Sequence, residues 1–254
     1  VSIRLGAVLT EQSNKLRHEP TAKRVRAFVG TEVAVDSERA VLVWEPHQAI
    51  PTYAVPREDV VVPIIDAKTD EEAPDGAPSH DIHGYRVILR ANASGSVGSG
   101  YVADDPDLSG FVILDFSSFD HWLEEDDEVD AHPRDPFHRV DVRRTSRNIQ
   151  VMMNGQLLAD TVHGKLLYET TLPTRYYLPR EDVFITLTPS PTRTLCPYKG
   201  KASYWSFTLD GQAVEDLIWS YEDPLEDAAG LKGYVAFYDD KVEVLLDKKL
   251  TDAD

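Results

Sequence analysis

Apolar positions along the chain recur mostly every second residue, and few stretches show helical spacing. Val25, Ala27 and Val29 alternate with polar or variable neighbours, and Ile149, Val151 and Met153 do the same further on. A period of two buries one face of a strand. Asn154-Gly155 follows the later stretch, and both residues tolerate the positive φ of a tight hairpin turn. Val41-Leu42-Val43-Trp44 is a short apolar run of the buried-strand type. Val60-Val61-Val62 and Val183-Phe184-Ile185 are β-branched and aromatic and read as further strands. Residues 233–238 and 242–246 read as a closing pair of strands, with Asp239-Asp240-Lys241 as their turn; residues 110–114 stand at the matching place earlier on. The spacing of Phe119, Trp122 and Leu123 predicts a short helix over 118–128, and 224–231 predicts a single turn. Residues 69–79 and 91–100 have loop composition.

The pattern occurs twice. Residues 53–60, Tyr-Ala-Val-Pro-Arg-Glu-Asp-Val, are matched by 176–183, Tyr-Tyr-Leu-Pro-Arg-Glu-Asp-Val. Upstream, Val35-Asp36-Ser37 parallels Ala159-Asp160-Thr161, and the run from Val41 to Glu45 parallels that from Lys165 to Glu169. The expected organisation is a first domain over 1–130, a linker over 131–138 and a second domain over 139–254. Pro133 and Pro136 give the linker an extended character. The expected fold class is mainly β: two tandem antiparallel β domains with few short helices.

Composition narrows the partners. The chain has 254 residues, enough for about two domains, and a formal net charge of −18. Gripping a phosphate backbone or an anionic membrane needs a basic face, so neither nucleic acid nor membrane is expected as a partner. The acidic run Glu124-Glu125-Asp126-Asp127-Glu128 reads as solvated surface. The single cysteine, Cys196, allows no intrachain disulfide and no thiolate zinc cage. Residues 1–6 do not read as a signal peptide and no apolar stretch reaches about 18 residues, so a cytoplasmic protein is the default expectation. No phosphate loop, nucleophile elbow or His-Glu-x-x-His motif occurs, and no cofactor is expected.

The second repeat alone contains Cys196-Pro197-Tyr198-Lys199-Gly200-Lys201-Ala202-Ser203-Tyr204-Trp205; at that place the first reads His80-Asp81-Ile82-His83-Gly84-Tyr85-Arg86-Val87. Cys196 reads either as a nucleophile beside a cation or as a small buried apolar residue. Lys199 reads either as a partner for an anionic or carbonyl group or as a turn lysine. Tyr177, Tyr198, Tyr204, Trp205, Trp219 and Tyr221 read as the aromatic wall of a ligand site or as core. Glu169 and Arg180 are candidate acid, base or anion-binding groups, although Glu45 and Arg57 repeat them in the first half. His132 and His138 fall in the linker.

These segments, with Trp219-Ser220-Tyr221-Glu222-Asp223-Pro224 and Gly233-Tyr234-Val235-Ala236-Phe237-Tyr238, resemble the DUF427 family of bacterial and fungal proteins, in the tandem form of actinobacteria. The resemblance covers about residues 15–250, with the first copy as a divergent member. It implies an Mss4-like, or β-tent, architecture of small antiparallel sheets around a cleft. Some proteins of that architecture hold zinc with two Cys-x-x-Cys pairs, which this sequence lacks. Related tents use aromatic cages, which would correspond here to Trp205, Trp219 and Tyr221. A nucleotidyltransferase label is sometimes attached to the family, but the sequence has no Gly-Ser pair followed by spaced aspartates.

The resulting expectation is a small-molecule site in the second domain, with catalytic candidates Lys199, Cys196, Glu169 and Arg180. If it supports turnover, a metal-independent lyase, isomerase or hydrolase fits these groups. A non-catalytic interaction scaffold is the rival reading, and a metal-dependent enzyme or nucleotidyltransferase a weaker one. Replacing Lys199 by Ala is expected to abolish binding while leaving the melting temperature nearly unchanged.

Overall fold

A computed structural model describes residues 2–67, 77–91, 95 and 97–251. The chain divides into two compact units, Val1–Asp135 and Pro136–Asp254. Among the described residues the fold is mainly β, and the one α-helix is α1 (Leu5–Gln12).

The first unit contains β1 (Arg17–Pro20), β2 (Val25–Val29), β3 (Glu32–Ser37), β4 (Val41–Trp44), β5 (Thr52–Pro56) and β6 (Ile64–Asp66). It continues with β7 (Gly84–Arg90), β8 (Val97–Ala103), β9 (Phe111–Leu114), β10 (His121–Glu124) and β11 (Asp127–Glu128). The second unit repeats the series as β12 (Val140–Arg144), β13 (Ile149–Met153), β14 (Gln156–Thr161), β15 (Lys165–Glu169), β16 (Arg175–Pro179) and β17 (Thr188–Cys196). Then follow β18 (Gly200–Leu209), β19 (Gln212–Tyr221), β20 (Tyr234–Phe237), β21 (Glu243–Leu246) and β22 (Lys249–Leu250). The larger sheet of the first unit has the order β1-β4-β5-β9-β8-β7-β6, and that of the second has β12-β15-β16-β20-β19-β18-β17. The smaller sheets run β11-β10-β2-β3 and β22-β21-β13-β14. Strand for strand the order is the same, and every pairing is antiparallel.

Local chemistry accounts for the repeated motifs. β2 alternates buried and half-buried residues, whereas β4 is buried throughout. The turn after β13 places Asn154 at φ 51° and Gly155 at φ 76°, the left-handed pair that such a hairpin needs. The Pro-Arg-Glu-Asp segments form 3-10 turns at Arg57–Asp59 and Arg180–Asp182. Their aspartates accept hydrogen bonds from the hydroxyls that end β3 and β14: Ser37 Oγ to Asp59 at 2.7 Å and Thr161 Oγ1 to Asp182 at 2.5 Å. The two repeated sequence blocks are thus clasped to each other in both units.

In each unit one core joins the two sheets. It includes Val25, Ala27, Val55, Val112 and Trp122 in the first unit, and Ile149, Val151, Leu178, Val235 and Val244 in the second. The other face of the larger sheet carries its own cluster. In the first unit this is Val41, Val43, Ala54, Ala103, Leu108 and Ile113. In the second it is Leu167, Tyr177, Tyr204, Trp219, Tyr221 and Ala236 with smaller neighbours.

Several expectations change. Residues 118–128 are not a helix: a 3-10 turn at Phe116–Ser118 leads into the hairpin of β10 and β11, turned at Glu125 with φ 52°. Trp122 is buried because β10 pairs with β2, and Phe119 packs edge-on against it with ring centroids 4.9 Å apart. Residues 60–62 and 183–185 make one isolated bridge each, Val35 with Val60 and Ala159 with Val183, because the chain leaves the sheet directly after the 3-10 turn. β20 and β21 are not a hairpin; they lie in different sheets and carry the chain from one to the other. The 224–231 turn is a 3-10 segment, Glu226–Leu231. The loop expected over 69–79 lies mostly outside the described residues; of the one expected over 91–100, residues 97–100 belong to β8.

Candidate functional site

The Cys-Pro-Tyr-Lys-Gly segment is a hairpin bend. Cys196 ends β17 and pairs with Gly200, the first residue of β18. Gly200 sits at φ 93°, a conformation that a side chain would strain, so the tight return at this point depends on glycine. The carbonyl of Lys199 accepts a hydrogen bond of 3.1 Å from the Leu225 amide. The bend is therefore tied to the segment after β19.

The Lys199 side chain turns inward. Its Nζ donates to Glu169 Oε2 at 2.5 Å, and the two side chains are 12% and 5% exposed. His138 Nε2 lies 3.3 Å from the same carboxylate oxygen, and its ring packs on Tyr198 with centroids 4.3 Å apart. His138, expected in the linker, thus belongs to this cluster. No motif marks it in the sequence; only the pairing of β12 with β15 brings it beside Glu169.

Beyond the ion pair lies the aromatic face. Strand residues alternate sides, and the register Tyr204–Trp219 and Ala202–Tyr221 places these four on the outer cluster. Trp219 Nε1 donates to Tyr177 Oη at 3.1 Å, and the indole packs on Tyr238 at 4.7 Å. The Tyr204 hydroxyl bonds with Thr194 Oγ1 at 3.1 Å and with the Tyr238 hydroxyl at 3.3 Å. Burial pushes the Tyr177 and Tyr221 phenols well above the ordinary tyrosine range, and Glu169 and Cys196 add to the effect. Tyr238 is pushed up to about 12, first by burial and then by Tyr204. All three stay protonated at neutral pH, as donors rather than bases. Cys196 is half-buried and packs on the edge of this cluster.

The structure brings together Tyr177, Cys196, Tyr198, Lys199, Tyr204, Trp219, Tyr221 and Glu169. It places Arg180 and Trp205 elsewhere. Trp205 pairs with Ile218 and packs on the intersheet core, on the opposite side of the sheet from Tyr204. The Arg180 guanidinium lies 4.3 Å over the Trp205 ring and reaches Glu222 Oε1 at 2.5 Å. A single cage of Trp205, Trp219 and Tyr221 is thereby excluded, since Trp205 faces away from the other two.

Sequence reading also missed a charged cluster in the first unit. Val41 pairs with Ala54 as Lys165 pairs with Tyr177, so Glu45 is the counterpart of Glu169. Glu45 is held by His80 Nδ1 at 2.5 Å, and His80 comes from the connection between β6 and β7, as Lys199 comes from that between β17 and β18. His80 Nε2 meets Asp115 Oδ1 at 2.9 Å, and Arg86 Nη1 meets Asp115 Oδ2 at 2.6 Å. Ser99 Oγ also donates to Asp115. By register, Arg86 stands where Tyr204 does and Tyr101 where Trp219 does, and Asp115 takes the place of Tyr238. Burial works against the His80 charge, but the hydrogen bonds and charges of Asp115 and Glu45 outweigh it and raise its pKa to about 9. With both ring nitrogens facing carboxylates, His80 is a fixed cation and not a base.

Among the described residues no group of three or more His, Cys, Asp or Glu side chains is placed to hold a metal ion, and no helix is long and apolar enough to cross a membrane. Residues 141–248 match the family model described as Domain of unknown function (DUF427), labelled NTP_transf_9. The match lies within the second unit, the one that carries the Lys199 bend. No curated protein matches the chain.

Proposed function

We propose that the chain is a tandem pair of DUF427-type units in which the second binds a small, acceptor-rich planar molecule at the Lys199 end of its aromatic face. The shared strand order of the two units supports the tandem reading. The observation that carries the binding reading is Tyr221. The residue is 5% exposed, and its hydroxyl makes no hydrogen bond to any described residue. The hydroxyl keeps contact with solvent, so a ligand oxygen would take the place of water there, for a net gain of about 0.5–1.5 kcal/mol. Lys199 adds to this, because an ammonium has three donors and Glu169 takes one. Donors from Tyr221 and Lys199 suit a carbonyl or carboxylate oxygen, and Trp219, held by the fully buried Tyr177, suits the edge of a flat body. A metal-independent lyase, isomerase or hydrolase step would draw on the same Lys199 and Glu169. Arg180 and Trp205 take no part.

The test is Tyr221→Phe, which removes one oxygen and leaves the packing. Small carbonyl compounds and carboxylic acids are screened by the emission of Trp219 in a Trp44→Phe, Trp122→Phe, Trp205→Phe background. A compound that shifts the emission is expected to bind roughly tenfold more weakly to Tyr221→Phe, at an unchanged melting temperature. The reading fails if nothing in the series shifts the emission, or if the variant binds as well as the parent.

One observation favours the interaction-scaffold reading. The Glu45–His80 pair pins the same connection in the first unit, so the Glu169–Lys199 pair has an architectural role whether or not a ligand binds. The scaffold reading gains if the screen is silent and the chain recovers a stable protein partner instead.

A further inference from the structure

The first unit contains a cavity of about 430 Å³ near the ends of β7, β8 and β9, lined among others by Arg57, Tyr85, Asp104, Asp105 and Phe111. At the matching positions of the second unit stand Arg180, Ser220, Glu222 and Tyr234. There the Arg180 guanidinium is sandwiched between the Trp205 ring at 4.3 Å and the Glu222 carboxylate at 2.5 Å, with Ser220 Oγ at 3.4 Å.

The same positions in the first unit are changed one by one. Arg57, equivalent to Arg180, pairs instead with Asp66 at 2.9 Å. Register puts Val87 in the place of Trp205, Val102 in that of Ser220 and Asp104 in that of Glu222. The indole is gone and the carboxylate arm is one methylene shorter. The Asp104 side chain makes no hydrogen bond or ion pair with any described residue, while Asp105 is fixed by accepting from the Asp107 amide at 2.9 Å. Tyr85, 44% exposed, and Phe111 supply aromatic surface. With Arg57 neutralised by Asp66, the two aspartates set the sign of the space.

We propose that this cleft is a binding site for a small organic cation, a guanidinium or primary ammonium on an aliphatic arm. The ligand's cation sits against Asp104 as the Arg180 guanidinium sits against Glu222, and its arm lies along Tyr85 and Phe111. A cation against a carboxylate makes charge-assisted hydrogen bonds, and an aliphatic arm along aromatic surface is removed from water. The size suits a compact ligand. This site is separate from the Lys199 cluster and rests on none of the same residues.

The test titrates agmatine into the full chain and follows the amide resonances of Asp104, Ser109 and Gly110. Those amides are expected to shift saturably with a dissociation constant of about 1 mM or below. Asp104→Asn is expected to weaken binding roughly tenfold, and Tyr85→Ala to weaken it less. Glu222→Gln in the second unit is expected to leave it unchanged. Since the Asp104 side chain makes no hydrogen bond or ion pair with any described residue, its variant is expected to keep the parent melting curve. The proposal is overturned if these amides do not move, if sodium chloride of equal ionic strength moves them as far, or if Asp104→Asn binds as well as the parent.

Discussion

At the end of β4 in the first unit and of β15 in the second stands a glutamate, and in each a cation from the same strand connection holds it. What lies behind that pair differs. The first unit continues with Arg86, Asp115 and Ser99, a fully charged and hydroxyl-bonded chain. The second continues with Tyr204, Tyr238 and Thr194, a chain of neutral hydroxyls. Ala54 and Ala103 of the first face become Tyr177 and Tyr221 in the second. The scaffold thus accepts either chemistry, with the buried charges of the first unit set against each other. Changing Arg86 without Asp115 would leave a charge in a dry interior, so such positions are expected to change in pairs.

The largest test of this contrast is Asp115→Ala. Asp115 is fully buried and serves Arg86, His80 and Ser99 together. Its loss takes the carboxylate from buried Arg86 and leaves His80 with Glu45 alone, and a destabilisation of about 3–5 kcal/mol is expected. Hydrogen exchange should rise across β4, β7, β8 and β9 and leave the second unit unchanged. If exchange rises equally in both units, the two faces are not independent.

Next comes Lys199→Ala. The sequence reading expects an unchanged melting temperature, but the observed pairing with a 5% exposed Glu169 predicts otherwise. Removing the cation leaves a nearly buried carboxylate, with an expected loss of about 3 kcal/mol. Lys199→Met with Glu169→Gln is expected to recover most of it, since no charge is then left alone. Chemical denaturation of the three proteins decides the point.

The smallest effect is in pH. The His80 pKa is raised in the folded state, from 6.5 to about 9. Its stabilising contribution is therefore complete below pH 6.5 and is lost as pH rises through 9. The first unit should weaken by about 2–3 kcal/mol over that interval. In His80→Gln that slope should flatten. A slope that survives the substitution would assign the titration to another group.

Much of the scaffold was legible because alternation, the Asn-Gly turn and the Pro-Arg-Glu-Asp repeat are local signals. The hairpin of β10 and β11 was misread because Phe119 and Trp122 are three apart, a spacing that a 3-10 turn followed by a strand also produces. Comparing the repeats singles out the segment from Cys196 to Trp205, whereas Glu169 recurs as Glu45 and gains nothing from that comparison. Trp205 was grouped with Trp219 because composition does not record which side of a strand a residue faces. The register Tyr204–Trp219 and Trp205–Ile218 does. His80, Arg86 and Asp115 were overlooked because the residues of that ion network are scattered from 45 to 115 and no motif links them.

One consequence follows from the outermost strand of the second unit's larger sheet. β17 carries Pro189 and Pro191, and its pairing with β18 shifts register between Pro189 and Arg193. Each proline removes a hydrogen-bond donor, and the irregular register bends the rim away from flatness. An incoming β-segment from another molecule meets a broken row of donors on that flank. The bend at Lys199 is therefore suspended from a margin built to refuse strand exchange.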